Sequence, residues 1–250
     1  MAIRNSRSPL VLPALFFLLS ISLSSPAQAK IIDVGVGANI QTVIDNSTTI
    51  SGDTIRLASG TYSTAGDLHF GGKALTLTSY TGNPADCEIV GTNADHSTFW
   101  IQPTDAVGSK IMGVTIIGNR GECTETWSNC AYSGGAIAIA TSIVIENCII
   151  RDSSAELGGG VYVANNAKPK FINCVFRSNT GTKGGAVYAT DSGTTPTFQN
   201  CLFTGNAASI YDSELQYSRE GDAIHLDACG ANIINCTFAG NTSSHSVINQ

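Results

Sequence analysis

Four Asn-Cys pairs, Asn147-Cys148, Asn173-Cys174, Asn200-Cys201 and Asn235-Cys236, follow one another at steps of 26, 27 and 35 residues. Recurrence in this range marks supersecondary units stacked one on the next, each burying its apolar face only against its neighbours. A large apolar residue stands three positions before each Cys (Ile145, Phe171, Phe198, Ile233) and another two positions after it (Ile150, Phe176, Phe203, Phe238). In three of the repeats Asn follows five residues after the Cys, at Asn179, Asn206 and Asn241. Residues 114–119 fit the same frame, with Val114 in the Cys position and Ile116 in the Phe position.

A second element leads each repeat: Gly134-Gly135-Ala136-Ile137, Gly158-Gly159-Gly160-Val161, Gly184-Gly185-Ala186-Val187 and Gly221-Asp222-Ala223-Ile224. Each runs into a short alternating strand such as Val187-Tyr188-Ala189. One unit therefore reads as a Gly-Gly turn, a strand, a turn, a strand ending in the large apolar residue, an Asn corner, and a third strand from Cys to Phe. Three strands and their turns in about 25 residues make one coil of a β-solenoid. Equivalent residues of successive coils then lie roughly 4.8 Å apart, so like stacks on like. Asn at the corner hydrogen-bonds its copies, the Cys and Phe ladders bury apolar surface, and the Gly pairs permit positive φ or close backbone approach.

These motifs resemble the right-handed parallel β-helix, pectin-lyase-like proteins. Within that group they are similar to the repeats of polymorphic outer membrane proteins, whose GGA(I/L/V) and FxxN motifs match Gly134 to Ile137, Gly184 to Val187, Phe176 to Asn179, Phe203 to Asn206 and Phe238 to Asn241. The resemblance covers residues 110–245. It implies an all-β, right-handed, single-stranded parallel β-helix and a surface or outer-membrane-associated protein. The earlier sequence agrees: Ile40, Val43 and Ile44 have helical spacing, and Gly52-Asp53-Thr54-Ile55-Arg56-Leu57 and Gly60-Thr61-Tyr62 follow as turn and strands. This resembles the short capping helix and first coil of pectin-lyase-like solenoids, continued by residues 75–79 and 87–90. Cap and first coils thus occupy residues 30–108 and the regular repeats 109–250. After Cys236 the next turn falls near Ser246, and Val247-Ile248 begin a further strand. A continuation of the solenoid or a partner is expected at that edge.

Arg4 and Arg7, an apolar run over residues 10–23 broken by Pro13, and the Ala27-Gln28-Ala29 triplet describe a signal peptide over residues 1–29, with Lys30 opening the mature chain. The run is shorter than the roughly 20 residues of a spanning helix, so the mature chain is expected to carry no transmembrane segment. Loss of residues 1–29 removes two cations and no anions, leaving 11 Lys and Arg against 19 Asp and Glu, a net charge of −8. That balance argues against nucleic acid as a partner and against anionic membrane surfaces.

Two turns are long: Cys148 to Gly158 and Cys174 to Gly184 each span 10 positions, whereas Val114 to Gly134 and Cys201 to Gly221 each span 20. Both insertions leave the same edge, three coils or roughly 14 Å apart. The first carries Glu122, Cys123, Glu125, Trp127 and Cys130; the second carries Tyr211, Asp212, Glu214, Tyr217, Arg219 and Glu220. If Ile137, Val161, Val187 and Ile224 point inward, then Ala138, Tyr162, Tyr188 and His225 alternate outward, an exposed aromatic ladder between the insertions. Tyr162, Tyr188, His225, Trp127, Tyr211 and Tyr217 are the candidate ligand-binding residues, since aromatic faces suit sugar rings. The plainer alternative is that tyrosines favour strands and cover their neighbours.

A β-helix lyase needs carboxylates around Ca²⁺ and a base: Asp212, Glu214, Glu220, Asp222 and Asp227 could supply oxygens and Arg219 or His225 the base, with Asp212, Arg219, Asp222, His225 and Asp227 the catalytic candidates. Cys123 and Cys130, seven apart on one insertion of an exported chain, are expected to form a disulfide, and no set of four ligands suggests a metal site. Cys148, Cys174, Cys201 and Cys236 are expected to stay thiols, because in-register Cβ atoms near 4.8 Å are farther apart than the roughly 3.8 Å of a disulfide. The sequence favours an exported, non-enzymatic scaffold or adhesin without cofactors, with a glycan or surface protein as partner. The alternative is a carbohydrate-binding or polysaccharide-degrading lyase or hydrolase, with Ca²⁺ in the lyase case.

Overall fold

A computed structural model describes residues 28–94, 96–118, 134–208, 221–241 and 247–249. Every strand pair in it is parallel and in register, and apart from a two-stranded sheet of Thr180–Gly181 and Ala207–Ala208 the strands fall into three long sheets that the chain visits in turn. The first sheet holds the strands that follow the Gly pairs: Ile137–Ile139, Val161–Val163, Val187–Thr190 and Ile224–Asp227. The second holds those that enter the Asn corner: Val144–Glu146, Lys170–Ile172, Thr197–Gln199 and Asn232–Ile234. The third holds those that leave it: Ile149–Arg151, Val175–Arg177, Leu202–Thr204 and Thr237–Ala239. With the N-terminal coils added, the three sheets reach six, eight and seven strands among the described residues. A coil-by-coil walk over three parallel sheets is the β-helix expected from the repeat.

The cap is where the sequence places it. Helix α1 spans Ile40–Asp45, with the Asn39 side chain accepting from Thr42 N at 3.1 Å, and it buries Ile40 and Ile44. Capping at the N-terminus satisfies a donor that a short helix otherwise leaves open. Beside it runs the edge strand Ile31–Val34 of the second sheet, paired with Thr54–Leu57.

Two columns of inward residues from the second and third sheets meet in the core, where Ile137, Val161, Val187 and Ile224 of the first sheet join them. Ile55, Leu77, Ile111, Ile145, Phe171, Phe198 and Ile233 align along the second sheet, and Tyr62, Ile89, Ile116, Ile150, Phe176, Phe203 and Phe238 along the third. Within a column the Phe rings stack, Phe176 on Phe203 at 4.5 Å and Phe203 on Phe238 at 4.7 Å. Between columns they meet edge to face, as Phe198 and Phe203 do at 5.5 Å. Strand spacing thus imposes offset stacking in one direction and leaves T-shaped contacts for the other.

The corner residues Asn147, Asn173, Asn200 and Asn235 all hold φ between 51° and 55°. Among non-glycine residues Asn tolerates this left-handed conformation best, because its side chain bonds locally. On this exposed ladder Asn235 Nδ2 donates to Asn200 Oδ1 and Asn200 Nδ2 to Asn173 Oδ1. Gly113 replaces Asn one coil earlier, with φ 61°, and a Cβ there would stand 2.8 Å from the Gly82 carbonyl oxygen.

A second Asn ladder lies inside. Asn206 is fully buried; its Nδ2 donates to Phe176 O at 3.0 Å and to Asn241 Oδ1 at 2.9 Å, while its Oδ1 accepts from Asn179 N and Nδ2. Asn179 repeats the pattern against Ile150 O, and its own Oδ1 accepts from Ser153 N. The two ladders are expected to differ in worth. Asn206→Ala strands buried donors on Asn179 and an acceptor on Phe176, and urea denaturation should show a loss of about 2–4 kcal/mol. Asn200→Gly keeps the left-handed corner and gives up only exposed bonds, so its change should stay within about 1 kcal/mol.

Candidate functional site

Alternation along the first sheet sends one residue of each strand outward, and in-register pairing lines these up as Trp100, Ala138, Tyr162, Tyr188, His225 and Asn249. The Tyr162 and Tyr188 rings are parallel to within 5° at 5.8 Å, and Tyr188 and His225 to within 2° at 5.2 Å. The expected ladder therefore exists as a column, but its exposure differs from expectation. Tyr188 and His225 retain only 5% of their surface each, while Tyr162 is half-buried. Period-two alternation assigns a side of the sheet and says nothing of what neighbouring rings and turns then cover. Trp100, 44% exposed, heads the same column and escaped the sequence reading. Its strand Phe99–Ile101 follows Ser97-Thr98 rather than a Gly pair, so only the strand pairing reveals its place.

Polar groups on this face are bonded to one another. The Tyr188 hydroxyl donates to Asp227 Oδ2 at 2.6 Å, and Asn249 Nδ2 stands 3.5 Å from His225 Nδ1. Burial first, and then the Asp227 carboxylate at its hydroxyl, raise the Tyr188 phenol well above its ordinary value. Asp227 itself is exposed and lies on the outer face two residues beyond His225. Asp222 takes the second glycine position of the Gly-Gly turn; it is fully buried, and its Oδ1 accepts from Ala208 N at 3.2 Å. The structure thus brings Tyr162, Tyr188, His225 and Asp227 together and sets Asp222 in the packed turn. Trp127, Tyr211, Tyr217, Asp212, Arg219, Cys123 and Cys130 lie outside the described residues.

Gly118 and Gly134 flank the first insertion, and residues 208 and 221 flank the second, at the same edge and three coils apart as the repeat requires. That edge is closely packed: a Cβ on Gly185 would stand 2.2 Å from the Asp222 carbonyl oxygen. His96 Nδ1 meets Asp67 Oδ2 at 2.9 Å. Among the described residues no group of three or more His, Cys, Asp or Glu side chains is placed to hold a metal ion.

The described cysteines are free thiols. Register puts Cys87 on the same column as Val114, Cys148, Cys174, Cys201 and Cys236, one residue ahead of the paired Glu88, Thr115, Ile149, Val175, Leu202 and Thr237. The Cys174 thiol reaches the Ile145 and Ile172 carbonyl oxygens at 3.4 Å, and Cys201 makes the equivalent contacts with Phe171 and Gln199. Burial pushes Cys87 up to about 11 and Cys148 up to about 12, so these sulfurs stay protonated and unreactive at neutral pH. Cys229 is also buried.

The Tyr188 phenol carries a pH signature. A phenol raised in the folded state contributes its stability below the unfolded value of about 10 and loses it as pH rises through the folded value. Tyr188→Phe should cost about 1–2 kcal/mol at neutral pH through the lost Asp227 bond. In urea titrations the gap to the unaltered protein should hold up to pH of about 10 and narrow above it.

The family described as right-handed beta helix region matches residues 37–218. Among solved structures, the catalytic domain of a GH87 alpha-1,3-glucanase variant in complex with tetrasaccharides is 12% identical, with a TM-score of 0.48 over 90% of this chain. The chain spans 42% of that domain. The pectin methylesterase from Aspergillus niger, penultimately deglycosylated, is 15% identical, with a TM-score of 0.48 over 91% of each chain; its deglycosylated form gives 15%, 0.46 and 91% of each. No curated protein matches the chain. With three parallel sheets visited in turn, stacked Asn corners and a family match over residues 37–218, the chain belongs to the right-handed β-helix family.

Proposed function

We propose that the protein is an exported, non-enzymatic β-helix that serves as a cell-surface or extracellular scaffold or adhesin. The observation that carries this reading is how the outer face of the first sheet uses its polar groups. Tyr188 and His225 are buried within a ring stack, and the Asp227 carboxylate accepts from Tyr188. Asp222 is committed to Ala208 N inside a turn. A hydrolase or lyase would instead converge two carboxylates and a base on one point of the face. The signal peptide supports export, and among the described residues no helix is long and apolar enough to cross a membrane. A continuation of the solenoid, or a surface protein, stacks on the last coil: Ile233, Ile234 and Ile248 are exposed there, and residues 228–250 contain no Asp, Glu, Lys or Arg to block strand addition.

Carbohydrate recognition is the second reading, favoured by Trp100 standing exposed at the head of the column that contains Tyr162. Large aromatic faces on a rigid sheet suit sugar rings. Its lyase form would require Ca²⁺ held by carboxylates. A glycan array and a polysaccharide-cleavage screen, with and without Ca²⁺, decide between the two. The scaffold reading expects no cleavage and no loss of partner binding in Trp100→Ala/Tyr162→Ala. Cleavage, or glycan binding abolished by that double variant while its melting curve is unchanged, overturns it in favour of the second reading.

A further inference from the structure

Asp53 sits in the turn between α1 and the strand Thr54–Leu57 and has no exposed surface. A buried carboxylate is costly unless hydrogen-bonded and matched by positive charge. Its Oδ1 accepts from the main-chain nitrogen of Lys30 at 2.9 Å and its Oδ2 from Ile50 N at 2.9 Å. The half-exposed Lys30 Nζ stands 3.7 Å from Oδ2. Burial raises this carboxyl, and the Ile50 and Lys30 donors outweigh it, so the group is held below the usual carboxylate range. The acid is therefore ionised, and the closest donors it has are two neutral amides.

One of those amides belongs to the residue that the sequence marks as the first of the mature chain. We propose that leader removal between Ala29 and Lys30 completes this site: the new α-ammonium group of Lys30 replaces the peptide N–H and forms a charge-assisted hydrogen bond to buried Asp53. The inference rests on the export reading above. In the step itself, a signal peptidase adds water across the Ala29–Lys30 bond. The carboxylate leaves on Ala29, and the freed amine of Lys30 takes up a proton. The bond then fastens the strand Ile31–Val34, which among the described residues pairs on one side only, with Thr54–Leu57. Thr54 N already donates to Lys30 O at 2.9 Å, so the same residue is gripped at both of its main-chain polar groups. Maturation would thereby stabilise the first coil and the cap on which later coils stack.

The charged groups facing Asp53 are the α-amine and Nζ of Lys30; Lys73 Nζ, nearby on the next turn, is held by the Ile44 and Asn46 carbonyl oxygens. A neighbouring carboxylate raises the α-amine above its ordinary value of about 7.7–8.0. A raised amine contributes stability in full below its unfolded value and loses it as pH rises through the folded value. Three forms of the mature chain test this: one beginning with a free Lys30, one Nα-acetylated at Lys30, and one retaining Gln28-Ala29 ahead of it. The free form should melt about 2–4 °C above the other two at a pH of about 6. The gap should close as pH rises past the α-amine, and Asp53→Asn should remove it. Equal midpoints for the free and acetylated forms across that pH range overturn the proposal and leave export untouched. The protein made from its full-length precursor tests export separately: no processed protein outside the cells sinks export and the proposal with it, whereas secreted protein whose first residue is other than Lys30 sinks the proposal alone.

Discussion

Every distance in this molecule descends from one constraint, the in-register parallel pairing of short strands at the spacing of neighbouring β-strands. Side chains at equivalent positions must coexist about 4.8 Å apart, which selects residues able to bond or stack with their own copies. Asn does so through an amide that donates and accepts at once, as Asn179, Asn206 and Asn241 show in a buried chain of bonds. Phe does so by offset stacking, and Cys by sharing its S–H between carbonyl oxygens of two coils. A charged residue in such a column would meet its own like charge, and among the described residues none occupies the inward columns of the second and third sheets.

The cysteine column shows how the constraint decides chemistry as well as packing. In an oxidising compartment, neighbouring thiols ordinarily become disulfides. Here parallel Cβ vectors at strand spacing hold the pairs apart, and burial raises the Cys87, Cys148, Cys174 and Cys236 thiols, while the hydrogen bond from Cys174 lowers Cys201; the geometry is what all of them share. Val114 and Cys87 extend it and show what the position requires: a small apolar group that fits behind the left-handed corner.

Most of the coil was legible because stacking writes itself into the sequence as repeated residues at fixed offsets. The three strands of each regular coil, the cap helix and the outward sense of Tyr162, Tyr188 and His225 all followed from that pattern. What the pattern missed lies where a coil departs from it. Cys87 follows Asp86 rather than Asn, and Trp100 follows no Gly pair, so neither could be aligned by motif. The burial of Tyr188 and the Tyr188–Asp227 bond were also hidden, because they run diagonally between strands and depend on register. The sequence places Asp53 in a turn, but the partner of its carboxylate is 23 residues away across the first strand pair.

The two kinds of corner have opposite capacities for change, and this places the candidate site. At the Asn corner one left-handed residue turns the chain between the second and third sheets, and its side chain bonds the coil beside it. An added residue there would shift a strand by one position and turn its core residues to solvent. The Gly-Gly edge is equally tight where coils meet, as Gly185 against Asp222 shows, but the chain approaches it through a longer connection. Extra residues can leave and return before the glycines without disturbing strand register. Both insertions depart there, on either side of the Tyr162 and Tyr188 rungs. The solenoid therefore lets both insertions leave and return at one border of the first sheet, the border from which the aromatic column is built.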